Sequence, residues 1–450
     1  MPRPDLPAPV IPLRLRAPIG LACDAACTVW RDAVVDIEAS GRLGYCGPAA
    51  AAPAWSGPVR DLTGILLPGL INAHAHTPMT VLRGMGGDRP LLSWLREVIW
   101  PAEARLTPAD VRAGMLLGSV EMLRAGVTTS AEMYFHGEEL VTAVLDSGAR
   151  LVQTGAIIDA PGWDWRAMLA GIADWIDADG LRFGSGERIE LGFGPHSAYM
   201  LPPAALAEVS AAARERDALV QIHVAESPGE DAAQRAEHGS VPALLESLGA
   251  LDGRVLAAHA VHLSDEDIAL FAARRVGVAH CPGSNAKLAS GIARLADLRA
   301  AGVGVGIGTD GPASNDDLDL WEDMRLAALL ARLSTRDSTA LSAADALLLA
   351  TRGGATALGR SDIGTLTEGA WADLVHVDVD EPAFAGGLAV PDEHLLANLV
   401  WANGSRRITD VWVAGEPVIA AGEPTRVDRH AAQIAAGSVT QRLVQQINAT

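Results

Sequence analysis

Two histidines one residue apart, His74 and His76 in "LLPGLINAHAHTPM", close an apolar run that reads as a strand, where alternate side chains share a face. Two imidazoles on one face suit a metal ion, although a single strand-end histidine is more often a satisfied polar group. The rest of the chain decides between these readings. His196 closes "RIELGFGPH", His223 and Glu226 stand in "ALVQIHVAE", and His259 lies in "GRVLAAHA" with His262 just after it. His280 lies in "GVAHCP" and Asp310 ends "GVGVGIGTD". Scattered histidines have no reason to fall repeatedly at the same end of consecutive strands. His74, His76, His223 and Asp310 together supply nitrogen and oxygen ligands for a mononuclear site with one open position. Imidazole and carboxylate suit Zn2+ or Fe2+ better than Mg2+ or Ca2+. An ion held this way makes water nucleophilic at neutral pH. Glu226, three residues beyond a ligand, is placed to transfer protons, and His259 to orient the nucleophile and stabilise developing charge.

Placing these residues together requires a fold that gathers strand ends. Eight short apolar runs alternate with Ala/Leu/Arg segments of helical period: Gly64 to His74, Gly126 to Tyr134, Arg150 to Ile158, Arg188 to His196, Ala218 to Glu226, Gly253 to Ala260, Gly277 to Pro282 and Gly302 to Asp310. Segments such as Pro202 to Asp217 and Ser264 to Arg275 carry helix-start residues and apolar spacings of three and four. Eight βα units with right-handed crossovers close most economically into a (β/α)8 TIM-type barrel, whose C-terminal strand ends carry the active site. The expected organisation is an N-terminal β-sandwich part over residues 1–63, the barrel over 64–363, a C-terminal β-sandwich part over 364–425, and a terminal helix or tail over 426–450. Neither β-rich end alone buries a two-layer core, so both are expected to pack into one small sandwich.

Composition narrows the function. A formal charge of −20 with no run of Lys or Arg argues against nucleic acid, and no apolar run reaches membrane-spanning length. The N-terminus lacks a compact apolar core followed by a small-residue cleavage site, so a cytoplasmic protein is expected. Cys23, Cys27, Cys46 and Cys281 form no disulfide framework and no zinc-ligand pattern, and they read as reduced thiols. The only lysine is Lys287.

Several ordered strings carry a resemblance. "LPGLINAHAH", "HVAE" at 223–226, "AAHAVHL" with His259, "AHCPGSNAKLASG" at 279–291 and "GIGTDGPASND" at 306–316 are similar to the amidohydrolase superfamily. Within it they resemble the cytosine deaminase-like branch, above all the 5′-methylthioadenosine/S-adenosylhomocysteine deaminases. "LLSWLREVIWPAEARLTPADV", "MLRAGVTTSAEMYF" and "GPHSAY" add to the match. The resemblance implies one Zn2+ or Fe2+ per chain on His74, His76, His223 and Asp310. It makes Glu226 the proton shuttle to a ring nitrogen, His259 the group that orients the nucleophile, and Asp310 the base. Binuclear relatives bridge two metals with a lysine from the fourth strand; here that strand has none, which favours one metal. The implied reaction is hydrolytic deamination of an adenine nucleoside (5′-methylthioadenosine, S-adenosylhomocysteine, 5′-deoxyadenosine or adenosine) to the inosine-type product and ammonia.

Around the substrate the resemblance places His196, Met85, Ser93, Trp94 and Arg166. Ser93 stands where the family usually has a ribose-binding Glu, and Gly155 where some members have an Arg. The alternatives are a deaminase or chlorohydrolase of another aromatic N-heterocycle (a guanine-like purine, a pterin or a triazine), a cyclic amide hydrolase, or a non-catalytic scaffold. The partner is expected to be a small molecule, and barrels of this kind often pair into homodimers or larger homo-oligomers.

Overall fold

The computed structural model describes residues 10–402 and 407–448; the Pro-rich first nine residues lie outside the described part. Eight parallel strands form the barrel: β1 (Leu70–Ala75), β2 (Val127–Tyr134), β3 (Arg150–Ile157), β4 (Ile189–Pro195), β5 (Leu219–Val224), β6 (Arg254–His259), β7 (Gly277–His280) and β8 (Val305–Ile307). They pair in sequence order, and a parallel bridge between Ala75 and Asp310 joins the last to the first. Strand residues are buried almost without interruption, as expected of parallel strands covered by helices on one side and packed on each other inside. The helices start where the sequence signals them. In the helix Asp265–Arg274, Ser264 accepts from Asp267 N at 3.2 Å while Asp267 accepts from Ser264 N at 2.9 Å, a reciprocal cap.

The run expected as a single first strand is two strands in two sheets. Ile65–Pro68 pairs in parallel with Leu13–Leu21 and antiparallel with Leu374–Asp378, whereas β1 begins at Leu70 and pairs with β2. Gly69 makes the crossing. A Cβ there would lie 2.0 Å from Thr128 Oγ1, so only glycine lets the chain pass from one sheet to the other against β2. The pattern of a continuous apolar run cannot reveal this, because both halves are buried.

Both chain ends do fold together, in one mixed sheet of nine strands that runs from Glu423–Pro424 at one edge to Leu43–Pro48 at the other. Leu15, Val35, Ile37 and Leu43 from the N-terminal strands share an apolar core with Leu66, Leu374 and Trp412, which closes the two ends into a sandwich interior. Buried ion pairs fasten this layer to the barrel. Arg150, at the start of β3, reaches Asp373 through two contacts of 2.8 and 3.0 Å with both partners out of water. Glu190 of β4 lies within 2.7 Å of Arg254, 2.7 Å of Arg360 and 3.0 Å of Arg182 at the N-terminal end of the barrel. The terminal helix Arg429–Asn448 packs Ala436, Val439 and Leu443 inward, and its Thr440 donates to Val81 O at 2.8 Å, close behind the His74/His76 segment. No helix among the described residues is long and apolar enough to cross a membrane.

Candidate active site

At the C-terminal mouth of the barrel, strands that are far apart in sequence bring their last residues together. His74 and His76 come from the end of β1, His223 from β5, His259 from β6, and Asp310 from just after β8. Ligand atoms of His74, His76 and Asp310 lie within 4.8 Å of one another, and so do those of His74, His223 and His259. The closest approaches are His76 Nε2 to His223 Nε2 at 3.3 Å, His76 Nε2 to Asp310 Oδ1 at 3.3 Å and His74 Nε2 to Asp310 Oδ1 at 3.5 Å. Four ligands about 2.0–2.2 Å from a central ion in a tetrahedron stand about 3.3–3.6 Å apart, so these spacings fit a zinc-sized cation.

The tautomers fit as well. His76 Nδ1 pairs with Met133 O at 2.6 Å and His223 Nδ1 with His196 O at 2.8 Å; each carbonyl accepts from Nδ1–H, which keeps the proton there and leaves the Nε2 lone pair facing inward. His74 is fully buried, yet neither ring nitrogen has a hydrogen-bond partner among the described residues. Burial without a partner is costly for a polar group, and a metal ion removes the cost. Asp310 is held from one side only. Ser284 and Ser314 both donate to its Oδ2, at 2.6 and 2.8 Å, so Oδ1 is free to face the histidines. Burial pushes the Asp310 carboxyl up, but the contact with His74 and the charges of His76 and His259 outweigh it and hold it well below the ordinary carboxylate range. Ala225, His259, Ala260 and Asp310 all have left-handed backbone, with φ of 48°, 68°, 50° and 59°. At about 1–3 kcal/mol each for non-glycine residues, this is strain held at the barrel mouth by the surrounding structure.

Glu226 and His259 face each other across the cluster, with Oε2 and Nε2 3.9 Å apart and both side chains nearly inaccessible. Burial raises the Glu226 carboxyl above its ordinary value. Asn285 Oδ1 lies 2.9 Å from His259 Nδ1, which turns Nε2 toward Glu226. Behind Glu226, its own N–H donates to Glu230 Oε2 at 2.8 Å. His196 sits against His223 with ring centroids 4.6 Å apart, so it lies at the cluster.

The other expected substrate contacts are placed less favourably. Trp94 is buried and its indole N–H donates to Met85 O at 3.0 Å, so the two residues pin their own segment together. Ser93 donates to Glu97 at 2.7 Å, and Glu97 in turn pairs with Arg89. Arg166 is engaged outside the cluster: its guanidinium lies 4.0 Å over Trp165 and 3.5 Å from Glu208, and the side chain is 63% exposed. Lys287 pairs with Asp316 at 2.6 Å. His262 bonds Ser290 O, and neither it nor His280 is among the clustered ligands.

Several residues that shape the site lie within the strings that carry the resemblance, but neither their type nor their spacing assigns them a role. Glu132, buried on β2, accepts from Thr77 N at 2.8 Å and from Thr77 Oγ1 at 2.5 Å, fixing the chain immediately after His76. Asn72 and Thr309 bond each other across the β1/β8 seam at 2.7 Å. Ser284, Asn285 and Ser314 are neutral side chains whose importance comes only from what they touch.

Comparison with known proteins agrees with this geometry. The amidohydrolase family model matches residues 65–418. A 5-methylthioadenosine/S-adenosylhomocysteine deaminase of Pelotomaculum thermopropionicum is 40% identical over 424 residues, covering 92% of this chain and 95% of that one. The enzyme of the same description from Moorella thermoacetica is 42% identical, covering 86% and 90%. Among solved structures, an adenosine deaminase from Xanthomonas campestris with bound zinc superposes with a TM-score of 0.90 at 36% identity, covering 98% of this chain and all of that one. An atrazine chlorohydrolase from Arthrobacter aurescens complexed with zinc gives a TM-score of 0.86 at 25% identity, covering 95% and 100%.

Proposed function

This chain belongs to the amidohydrolase family, and from that premise we propose that it is a zinc-dependent aminohydrolase that deaminates adenine nucleosides. The reaction adds water across the amine-bearing ring carbon and releases ammonia, leaving the inosine-type product. The observation that carries this reading is the approach, at the barrel mouth, of His76 Nε2 to His223 Nε2 and to Asp310 Oδ1 at 3.3 Å each, and of His74 Nε2 to Asp310 Oδ1 at 3.5 Å. His74, His76, His223 and Asp310 would hold the ion. When bound, zinc supplies the Lewis acidity that makes water a nucleophile at neutral pH.

The remaining chemistry belongs to the chain's own side chains. The Asp310 carboxylate, held well below the ordinary range, is the base that receives a proton from the attacking water, and Ser284 and Ser314 fix its orientation by donating to Oδ2. Glu226 carries a proton to the ring nitrogen beside the carbon under attack; its raised affinity for protons, caused by burial, suits a group that must both take and give one. For His259, burial alone lowers proton affinity, but Glu226, Asp310 and the Asn285 bond together raise it. The imidazole is thereby favoured as a proton-bearing donor that faces the reacting centre and stabilises the developing negative charge. Closely packed walls keep bulk water away from these groups.

Adenine nucleosides are favoured over triazines by the relatives' activities and by identity, which is 40% over 92% of the chain for a nucleoside deaminase and 25% for the triazine enzyme. Ammonia release and the ultraviolet change on deamination, measured with adenosine, 5′-deoxyadenosine, 5′-methylthioadenosine and S-adenosylhomocysteine, test the proposal. Turnover of at least one is expected. No ammonia from any of them, with one zinc per chain bound, would refute it.

A further inference from the structure

A line of aromatic rings leads from the cluster to the barrel rim. His76 and Tyr134 have ring centroids 6.4 Å apart, Tyr134 and Phe135 5.7 Å, and Phe135 and Trp163 4.7 Å. Tyr134 ends β2 and is buried, Phe135 follows it and is half-buried, and Trp163 lies in the loop after β3 with 43% of its surface exposed. An exposed tryptophan packed at a tilt against a phenylalanine is a large apolar face left to solvent at the end where substrate enters. The indole is positioned by its own backbone. Trp163 N donates to Ala160 O at 2.9 Å, and the next residue, Asp164, caps the helix Trp165–Asp179 by accepting from Arg166 N at 3.0 Å.

The charges on these two loops are as informative as the rings. Between Phe135 and Arg166 on the β2 and β3 loops stand the acids Asp159 and Asp164 and a single imidazole, His136. Arg166, in the first turn of the helix that follows, is engaged by Trp165 and Glu208. At Gly155 on β3 a Cβ would lie 2.7 Å from Ile172 Cδ1, so this position is closed against the covering helix Trp165–Asp179. A substituent ending in a carboxylate therefore meets acids and aromatic faces here, whereas an uncharged thioether meets faces that sulfur prefers.

Resting on the nucleoside reading above, we propose that Phe135 and Trp163 form an aromatic subsite for the uncharged 5′-thioether arm of the substrate, so that this chain prefers a methylthio arm to one that ends in an amino acid. The proposal seats the purine amine at the cluster and the 5′ arm toward the open mouth, beside the line of rings. Trp163 and Phe135 act on binding and specificity, not on the reacting atoms.

The test uses the intact zinc enzyme with three nucleosides. Trp163→Ala should lower kcat/KM for 5′-methylthioadenosine by about 3- to 10-fold, the worth of a sulfur–aromatic contact, chiefly through KM. Adenosine, which has no thioether, serves as the internal control and should change by less than about twofold. Trp163→Phe should restore most of the loss, and because Trp163 is exposed the variants should melt with the wild type. In the wild type, kcat/KM for 5′-methylthioadenosine should exceed that for S-adenosylhomocysteine. Equal losses for both nucleosides in Trp163→Ala, no loss for either, or a preference for S-adenosylhomocysteine would overturn the subsite. A wild type that deaminates none of the three would overturn the underlying function and the subsite with it, a result distinct from an active enzyme indifferent to Trp163.

Discussion

Replacing Asn285 with alanine tests whether His259 works only when its ring is held. Both residues are 1% exposed, the bond from His259 Nδ1 to Asn285 Oδ1 is 2.9 Å, and the opposite ring nitrogen looks at Glu226 from 3.9 Å. With the acceptor gone, the imidazole loses its Nδ1 hydrogen bond, and a buried N–H is left unpaired. A hydrogen bond to a charged group contributes about 1.5–3 kcal/mol, and each 1.36 kcal/mol is about tenfold in rate. Asn285→Ala should therefore lower kcat by about 10- to 150-fold with little change in KM, since the contact acts when charge develops. Asn285 touches none of the four proposed ligands, so bound zinc, read by atomic absorption, should stay at the wild-type level. A kcat within about twofold of wild type would refute the positioning role. Zinc lost in proportion to activity would show instead that the neighbouring Ser284, and with it Asp310, had been displaced.

Other consequences follow from the same contacts. Glu226→Gln should keep its zinc and lose about 100-fold or more in kcat, the usual range for removing a general acid or base, whereas His223→Ala should lose zinc and activity together. Equal metal loss in both would contradict the assigned roles. Glu190→Gln removes the shared charged partner of Arg254, Arg360 and Arg182 and leaves Arg360 with Asp362 alone; removing one partner of a buried pair costs up to about 3–5 kcal/mol, readable as a lower urea midpoint. An unchanged midpoint would mean that the arginines re-pair. Burial would raise Asp362 and Asp410, but Arg360 on the first, and His376, Arg60 and Thr409 on the second, hold both at about 2. Because these values lie below those of an unfolded chain, both groups contribute stability at neutral pH and lose it as pH falls from about 4 to about 2. Denaturant midpoints should drop across that window, and Asp362→Asn or Asp410→Asn should flatten the drop; a wild-type midpoint level from pH 4 to 2 would refute the linkage.

The sequence by itself determined the class of fold and the cluster. Eight apolar runs of strand length, spaced by helical segments, allow few closures other than a barrel, and His74, His76, His223, His259 and Asp310 announce themselves because imidazole and carboxylate at strand ends have few structural reasons to recur. What was hidden depends on neighbours distant along the chain. Asn285, Ser284 and Ser314 are side chains that only a 2.6–2.9 Å approach to His259 or Asp310 turns into parts of the site. Ser93 and Trp94 stand by order in the chain at the family's substrate stretch, and Arg166 is expected to reach in from the loop after β3, but order does not fix a rotamer. Glu97, Met85 and Glu208 engage them in the folded chain. Gly69 and Trp163 make the same point. Whether a glycine lets the chain cross between two sheets, and whether a loop tryptophan packs against Phe135 at the mouth, is decided by packing between elements remote in sequence, which composition and periodicity do not encode.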